Sequence, residues 1–127
     1  MNKEERIKIL VVDDDPAYRL LITTVLEANS FSVLAVENGE EALEKLKTYK
    51  PSLIVSDLIM PKVNGYELIN KVRESPATKH IPVILLTEVA SPEEISYGYE
   101  TQKVEYYIAK PFSNHQLLAG IKLVLGV

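Results

Sequence analysis

Ile7-Lys8-Ile9-Leu10-Val11-Val12-Asp13-Asp14-Asp15-Pro16 changes its hydrophobic period within a few residues. The first part is apolar almost throughout, the pattern of a strand covered on both faces. Asp15-Pro16 then reads as an N-cap followed by proline at the first helical position, where a missing N–H costs nothing. Ala17, Leu20, Leu21, Thr24, Val25 and Ala28 recur behind it at helical spacing. A doubly covered strand that runs straight into a helix is the opening of a βαβ unit.

The remainder repeats that unit. A second strand is expected near Ser32 to Glu37, and Asn38-Gly39 ends it. Ala42, Leu43 and Leu46 mark a helix that stops before Pro51. Leu53 to Ser56 forms the third strand; the loop Leu58 to Asn64 leads to a helix with Leu68, Ile69 and Val72 inward. The fourth strand starts at Pro82, and Ser91-Pro92-Glu93-Glu94 reads as a capping box with proline at the first helical position. Gly98 lies inside that helix or ends it. The fifth strand spans about Glu105 to Ala109. Ser113 to Gln116 is a second capping box, opening a helix with Leu117, Ile121, Val124 and Leu125 on its buried face. Strands alternating with helices predict an α/β, doubly wound, five-stranded parallel sheet with right-handed crossovers and helices on both faces. With no linker or low-complexity tract in view, residues 1–127 are read as one domain.

Composition excludes several classes. Fourteen basic against eighteen acidic residues give a net charge of −4, so no basic footprint for nucleic acid exists. There is no cysteine, hence neither a disulfide nor a thiolate metal site. Charges at Lys3, Glu4, Glu5, Arg6 and Lys8 interrupt any leader-type apolar run, and no apolar run approaches spanning length. A cytoplasmic location without membrane insertion is expected.

The strand ends carry the chemistry. In a parallel sheet all carboxyl ends lie on one edge, so Asp13 to Asp15, Asp57, Thr87 and Lys110 are predicted to meet in one crevice. Carboxylates, a hydroxyl and an ammonium gathered there suit a divalent metal and a phosphoryl group. Taken singly, each residue has an ordinary explanation. Three aspartates usually start a helix with solvated charges, Thr87 is a common strand residue and Lys110 a surface charge. Their joint placement makes coincidence a poor account.

The chain resembles the receiver domains of two-component response regulators, over essentially its whole length. The resemblance rests on Ile9-Leu-Val-Val-Asp-Asp14 with Pro16, Ser56-Asp-Leu-Ile-Met-Pro61 with Gly65, Val83-Ile-Leu-Leu-Thr87 and Lys110-Pro-Phe112. It implies a flavodoxin-like fold with strand order 2-1-3-4-5. It also implies a phosphorylation-dependent switch, with Asp57 accepting a phosphoryl group from a histidine kinase or histidine phosphotransfer protein. Asp14 and Asp57 would ligate Mg²⁺ directly, Asp13 through water, and the Ile59 carbonyl would complete the protein's share. Lys110 and Thr87 would contact the phosphoryl group. The Lys110–Pro111 bond is a cis candidate. Tyr107 occupies the position of an aromatic that turns inward on activation. A downstream protein target would then read the face made by the fourth expected helix, the fifth strand and the last helix, and a phosphorylation-dependent homodimer is a further expected partner. The expected protein is not a turnover enzyme.

Two departures from the family pattern bear on output. Glu88 follows Thr87 where a small residue is common, and Lys103-Val104 stands where Gly-Ala often precedes the fifth strand. His80 and His115 have no partner at ligand spacing and are read as surface residues. Ile59 and Val89 hold the places from which a hydrolytic water could be oriented, and both are apolar, so slow self-dephosphorylation is expected. Two other readings compete: a phosphorylation-independent interaction module on the same fold, and an aspartyl-phosphate hydrolase using Asp13-x-Asp15.

Overall fold

The computed structural model describes residues 5–60, 63–88 and 104–127. Its strands are β1 (Lys8–Val12), β2 (Ser32–Val36), β3 (Leu53–Asp57), β4 (Val83–Thr87) and β5 (Tyr106–Ala109). They form one parallel sheet in the order β2-β1-β3-β4-β5, as the resemblance implied. Four helices lie among the described residues: α1 (Pro16–Ala28), α2 (Gly39–Lys45), α3 (Gly65–Glu74) and α4 (Asn114–Leu125). The helix expected from Ser91, with Gly98, falls outside the described residues, as do Pro61, Val89, Tyr97, Tyr99 and Lys103. No described helix is long and apolar enough to cross a membrane.

Side chains alternate across each strand, so the sheet makes two cores. Ile9, Val11, Leu53, Val55, Ile84 and Leu86 face α1 and α4, meeting Ile22, Leu26, Leu117 and Ile121. Leu10, Val12, Ile54, Val83 and Leu85 face the other way, onto Ala42, Leu46, Leu68, Ile69 and Val72 of the α2–α3 side. This double burial is why the strands read as continuous apolar runs.

The expected inward stripe of α1 needs correction. Leu20 and Leu21 are 70% and 38% exposed, while Ile22, Val25 and Leu26 are buried and Tyr18 is half-buried. The helix is apolar on two adjoining faces, so periodicity alone leaves its rotation open. Its entry decides it: Asp15 Oδ1 accepts from the Ala17 amide at 2.9 Å, and the Arg19 guanidinium donates to the Asp13 carbonyl at 2.8 Å. That tether turns the face with Tyr18, Ile22, Val25 and Leu26 onto the sheet. α3 opens with a capping box in which Asn64 and Glu67 satisfy each other's backbone amides, and α4 opens with the expected box of Ser113 and Gln116. Val124 and Leu125, expected to be buried, are only half-buried near the end of α4.

At the amino edge of the sheet one arginine holds three segments together. Arg73 donates to the Lys79 and Ile81 carbonyls at 3.0 and 2.6 Å and to both Glu105 oxygens at 3.0 and 3.1 Å. Glu105 in turn accepts from the Val83 amide. The start of β4, the approach to β5 and the end of α3 are thereby pinned to one another.

Candidate phosphoryl and metal site

The opposite, carboxyl edge collects the chemistry. Parallel register pairs Val12 with Ser56, Asp57 with Leu86, and Thr87 with Ala109. The ladder continues past the strand ends: the Leu58 amide donates to the Leu86 carbonyl at 2.9 Å, and the Lys110 amide to the Thr87 carbonyl at 2.8 Å. Asp13, Asp57, Thr87 and Lys110 are therefore placed by backbone rather than by flexible loops. A cavity of about 320 Å³ opens there, lined by Asp14, Asp15, Asp57, Ile59, Thr87, Glu88 and Lys110.

Asp13 is fully buried and both of its oxygens are engaged. Oδ1 accepts from the Asp15 amide at 2.9 Å, and Oδ2 accepts from Lys110 Nζ at 2.9 Å. Lys110, also buried, reaches Asp57 Oδ2 at 3.4 Å. Asp14 is exposed at the cavity wall, and Asp57 is half-buried between the two environments. Burial pushes the Asp57 carboxyl up to about 6, opposed by the Lys110 charge and reinforced by Asp13 and Asp14. Burial alone would lower the Lys110 ammonium, but its hydrogen bond and charge interaction with Asp13, followed by Asp57, outweigh this and raise it.

Oxygens from Asp13, Asp14 and Asp57 lie within 4.8 Å of one another. An all-carboxylate set is the donor chemistry of a hard cation such as Mg²⁺, and a cation would offset the burial, and the lesser repulsion from Asp13 and Asp14, that keep Asp57 hard to ionise. Asp13 is committed to Lys110 and the Asp15 amide, so of these three carboxylates Asp14 and Asp57 are the two that line the cavity.

Gly65, the first residue of α3, packs directly against the end of β3. A Cβ at that position would sit 2.9 Å from the Asp57 carbonyl oxygen and 2.9 Å from the Leu58 Cα. No side chain fits without moving the end of β3. The Lys110–Pro111 peptide is cis, as expected.

The fold, the ordered strand-end residues and a model of the family agree: residues 9–122 match the response regulator receiver domain. The chain belongs to that family. Receiver domains are phosphorylation-dependent switches of two-component systems, not turnover enzymes. This receiver is 36% identical over 118 residues to the phosphate regulon transcriptional regulatory protein PhoB of Rhizobium meliloti, covering 93% of this chain and 52% of that protein. A probable cyclic di-GMP phosphodiesterase of Vibrio cholerae is 40% identical over 105 residues, 83% of this chain and 23% of that protein. The receiver thus spans about half or less of these two relatives. Among solved structures, the chemotaxis response regulator CheY4 of Vibrio cholerae superposes with a TM-score of 0.88 at 30% identity, covering 94% of this chain and 98% of that one.

The remaining expected site residues fall as follows. Ile59 is 75% exposed at the cavity rim and Glu88 is exposed at its mouth. His80 and His115 are exposed. Tyr107 is half-buried against the α2–α3 core, and its hydroxyl lies 2.8 Å from that of Tyr66 on α3. The Tyr66 contact was not legible beforehand, because nothing in the spacing of positions 66 and 107 links them. Tyr18, lying outside the expected α1 stripe, was missed in the same way, although it packs beside Lys110.

Proposed function

We propose that Asp57 is the phosphoacceptor of this receiver, taking its phosphoryl group from a histidine kinase or histidine phosphotransfer protein. The observation that carries the reading is the position of the Asp57 carboxylate: it ends β3, opens on the cavity, and has Lys110 Nζ 3.4 Å away. An Asp57 oxygen attacks the donor phosphorus, a P–O bond forms, and the phosphorus–nitrogen bond of phosphohistidine breaks with its electron pair leaving on the imidazole. Asp14 and Asp57 would hold Mg²⁺, with Asp13 acting through water and the Ile59 carbonyl adding a ligand. When bound, the ion neutralises charge on attacking and transferring oxygens. Lys110 supports the same oxygens as a fixed point charge, and the Thr87 hydroxyl donates to another of them.

The switch would follow from Thr87. Drawing its hydroxyl toward the phosphoryl group shifts the end of β4, beside which Tyr107 is paired with Tyr66. Tyr107 then turns inward, and the surface around β5 and α4 changes for a downstream protein target or a second receiver. A groove of about 520 Å³ between β5 and α4, with Leu123 68% exposed beside it, is the described part of that surface.

The test is intact mass after incubation with acetyl phosphate and Mg²⁺. One acid-labile phosphate, lost on chelation, supports the reading. No adduct would mean an interaction module, and phosphate release without accumulation a hydrolase.

Signal lifetime gives a further expected outcome. The Ile59 side chain carries no group that could orient a water in line with phosphorus. Ile59→Asn should speed decay of the phosphoprotein on the order of 10-fold, short of the roughly 10²-fold typical of a full general base. Decay that is unchanged after donor removal would show that rim polarity does not set the lifetime.

A further inference from the structure

Lys110 is held by more than carboxylates. Its Nζ lies 4.0 Å above the centroid of the Tyr18 ring, within cation–π range, while also 2.9 Å from Asp13 Oδ2 and 3.4 Å from Asp57 Oδ2. Tyr18 is itself steadied, since its ring meets that of Phe112 with centroids 5.7 Å apart at 46°. Phe112 follows the cis Lys110–Pro111 bond, so the same short segment supplies both the ammonium and the ring that braces its aromatic support.

We propose that Tyr18 is a positioning residue for phosphoryl transfer, its π-face holding the Lys110 ammonium in place while Asp57 changes charge. The inference rests on Asp57 being the acceptor. Before transfer, Lys110 is balanced between two carboxylates. Once an Asp57 oxygen is bonded to phosphorus, the negative charge moves outward onto the phosphoryl oxygens, and the ammonium is pulled between them and the buried Asp13 carboxylate instead of between two carboxylates. The aromatic face supplies an attraction that does not depend on the state of Asp57. It is also neutral, so it does not compete with the phosphoryl oxygens for the positive charge, as a third carboxylate would.

Two substitutions separate the π-face from the hydroxyl. Tyr18→Phe keeps the ring, whereas Tyr18→Leu keeps apolar bulk without it. The initial rate of phosphorylation by acetyl phosphate at saturating Mg²⁺ should fall about 3- to 30-fold in Tyr18→Leu and stay near the parent in Tyr18→Phe. The Mg²⁺ concentration giving half-maximal rate should be unchanged in both, since Tyr18 is not among the residues that would hold the ion. NMR supplies a readout independent of activity: the Lys110 ε-methylene protons should be shifted upfield by the ring in the parent and in Tyr18→Phe, and released in Tyr18→Leu. Equal rates in parent and Tyr18→Leu, equal losses in both variants, or ε-methylene shifts insensitive to the ring would each overturn the proposal. A parent that takes up no phosphate, with the ring shift intact, would overturn the acceptor reading instead.

Discussion

Asp57→Asn should abolish phosphoprotein formation and, at pH 7 without Mg²⁺, make the fold more stable. Both effects come from one circumstance. Asp57 is the carboxylate that β3 delivers to the cavity, and its folded-state pKa is pushed up to about 6 from 3.8, chiefly by burial. The raised pKa means the folded state binds the proton more tightly than the unfolded chain. The stability associated with this group is therefore fully present below about pH 4 and lost as pH rises through 6. An uncharged amide escapes that loss, so the variant should gain on the order of 1 kcal/mol over the parent above pH 7, solvent screening at this half-buried group reducing what the full shift would give, with the difference vanishing near pH 4. Urea unfolding across pH, with intact mass in parallel, checks both halves. A variant less stable than the parent at pH 7, or one that still gains phosphate, would defeat the account. Saturating Mg²⁺ should shrink the stability gap, because a cation favours the charged parent.

Lys110→Met should cost about 3 kcal/mol at neutral pH, because it leaves the buried Asp13 carboxylate without its ammonium. The raised pKa of Lys110 gives the complementary sign: its contribution is fully present below the ordinary lysine range and disappears only as pH rises through the folded value, so neutral pH sees all of it. The pair is coupled, and the coupling is measurable. Asp13→Asn combined with Lys110→Met removes both charges while keeping an acceptor for the Asp15 amide. The double variant should recover most of the lost stability, with a coupling energy of more than about 1 kcal/mol. Phosphorylation should stay severely impaired, since the point charge for the phosphoryl oxygens is gone. Additive losses in denaturant titrations would mean that the two groups do not act as a unit.

How much of this was legible beforehand depends on the kind of information. Strand ends were legible because a doubly buried parallel strand is an uninterrupted apolar run, and its last polar residue is displayed at one edge. Asp13, Asp57, Thr87 and Lys110 could thus be predicted to share a crevice before any distance was known. Helix rotation was not legible for α1, since Leu20 and Leu21 are as apolar as Ile22 and Leu26, and only the tether through Asp15 and Arg19 distinguishes the faces. Contacts between distant side chains were also hidden. The ring of Tyr18 over Lys110 and the hydroxyl of Tyr66 against Tyr107 depend on packing across elements, which no local period encodes. The Asn64–Glu67 box is different: it carries the spacing of a capping signal and was open to reading.

The arginine bracket at the amino edge gives the sheet a mechanical polarity. Val83 and Glu105 are anchored through Arg73, while the functional ends of β4 and β5 lie four or five residues further on, about 13–16 Å at the rise of a strand. Each of these strands behaves as a cantilever, clamped at its root and loaded at its tip. In the proposed switch a displacement of Thr87 would act on a strand whose root is held by this bracket. The register pair of Thr87 with Ala109 is the backbone link that would pass it sideways from one tip to its neighbour.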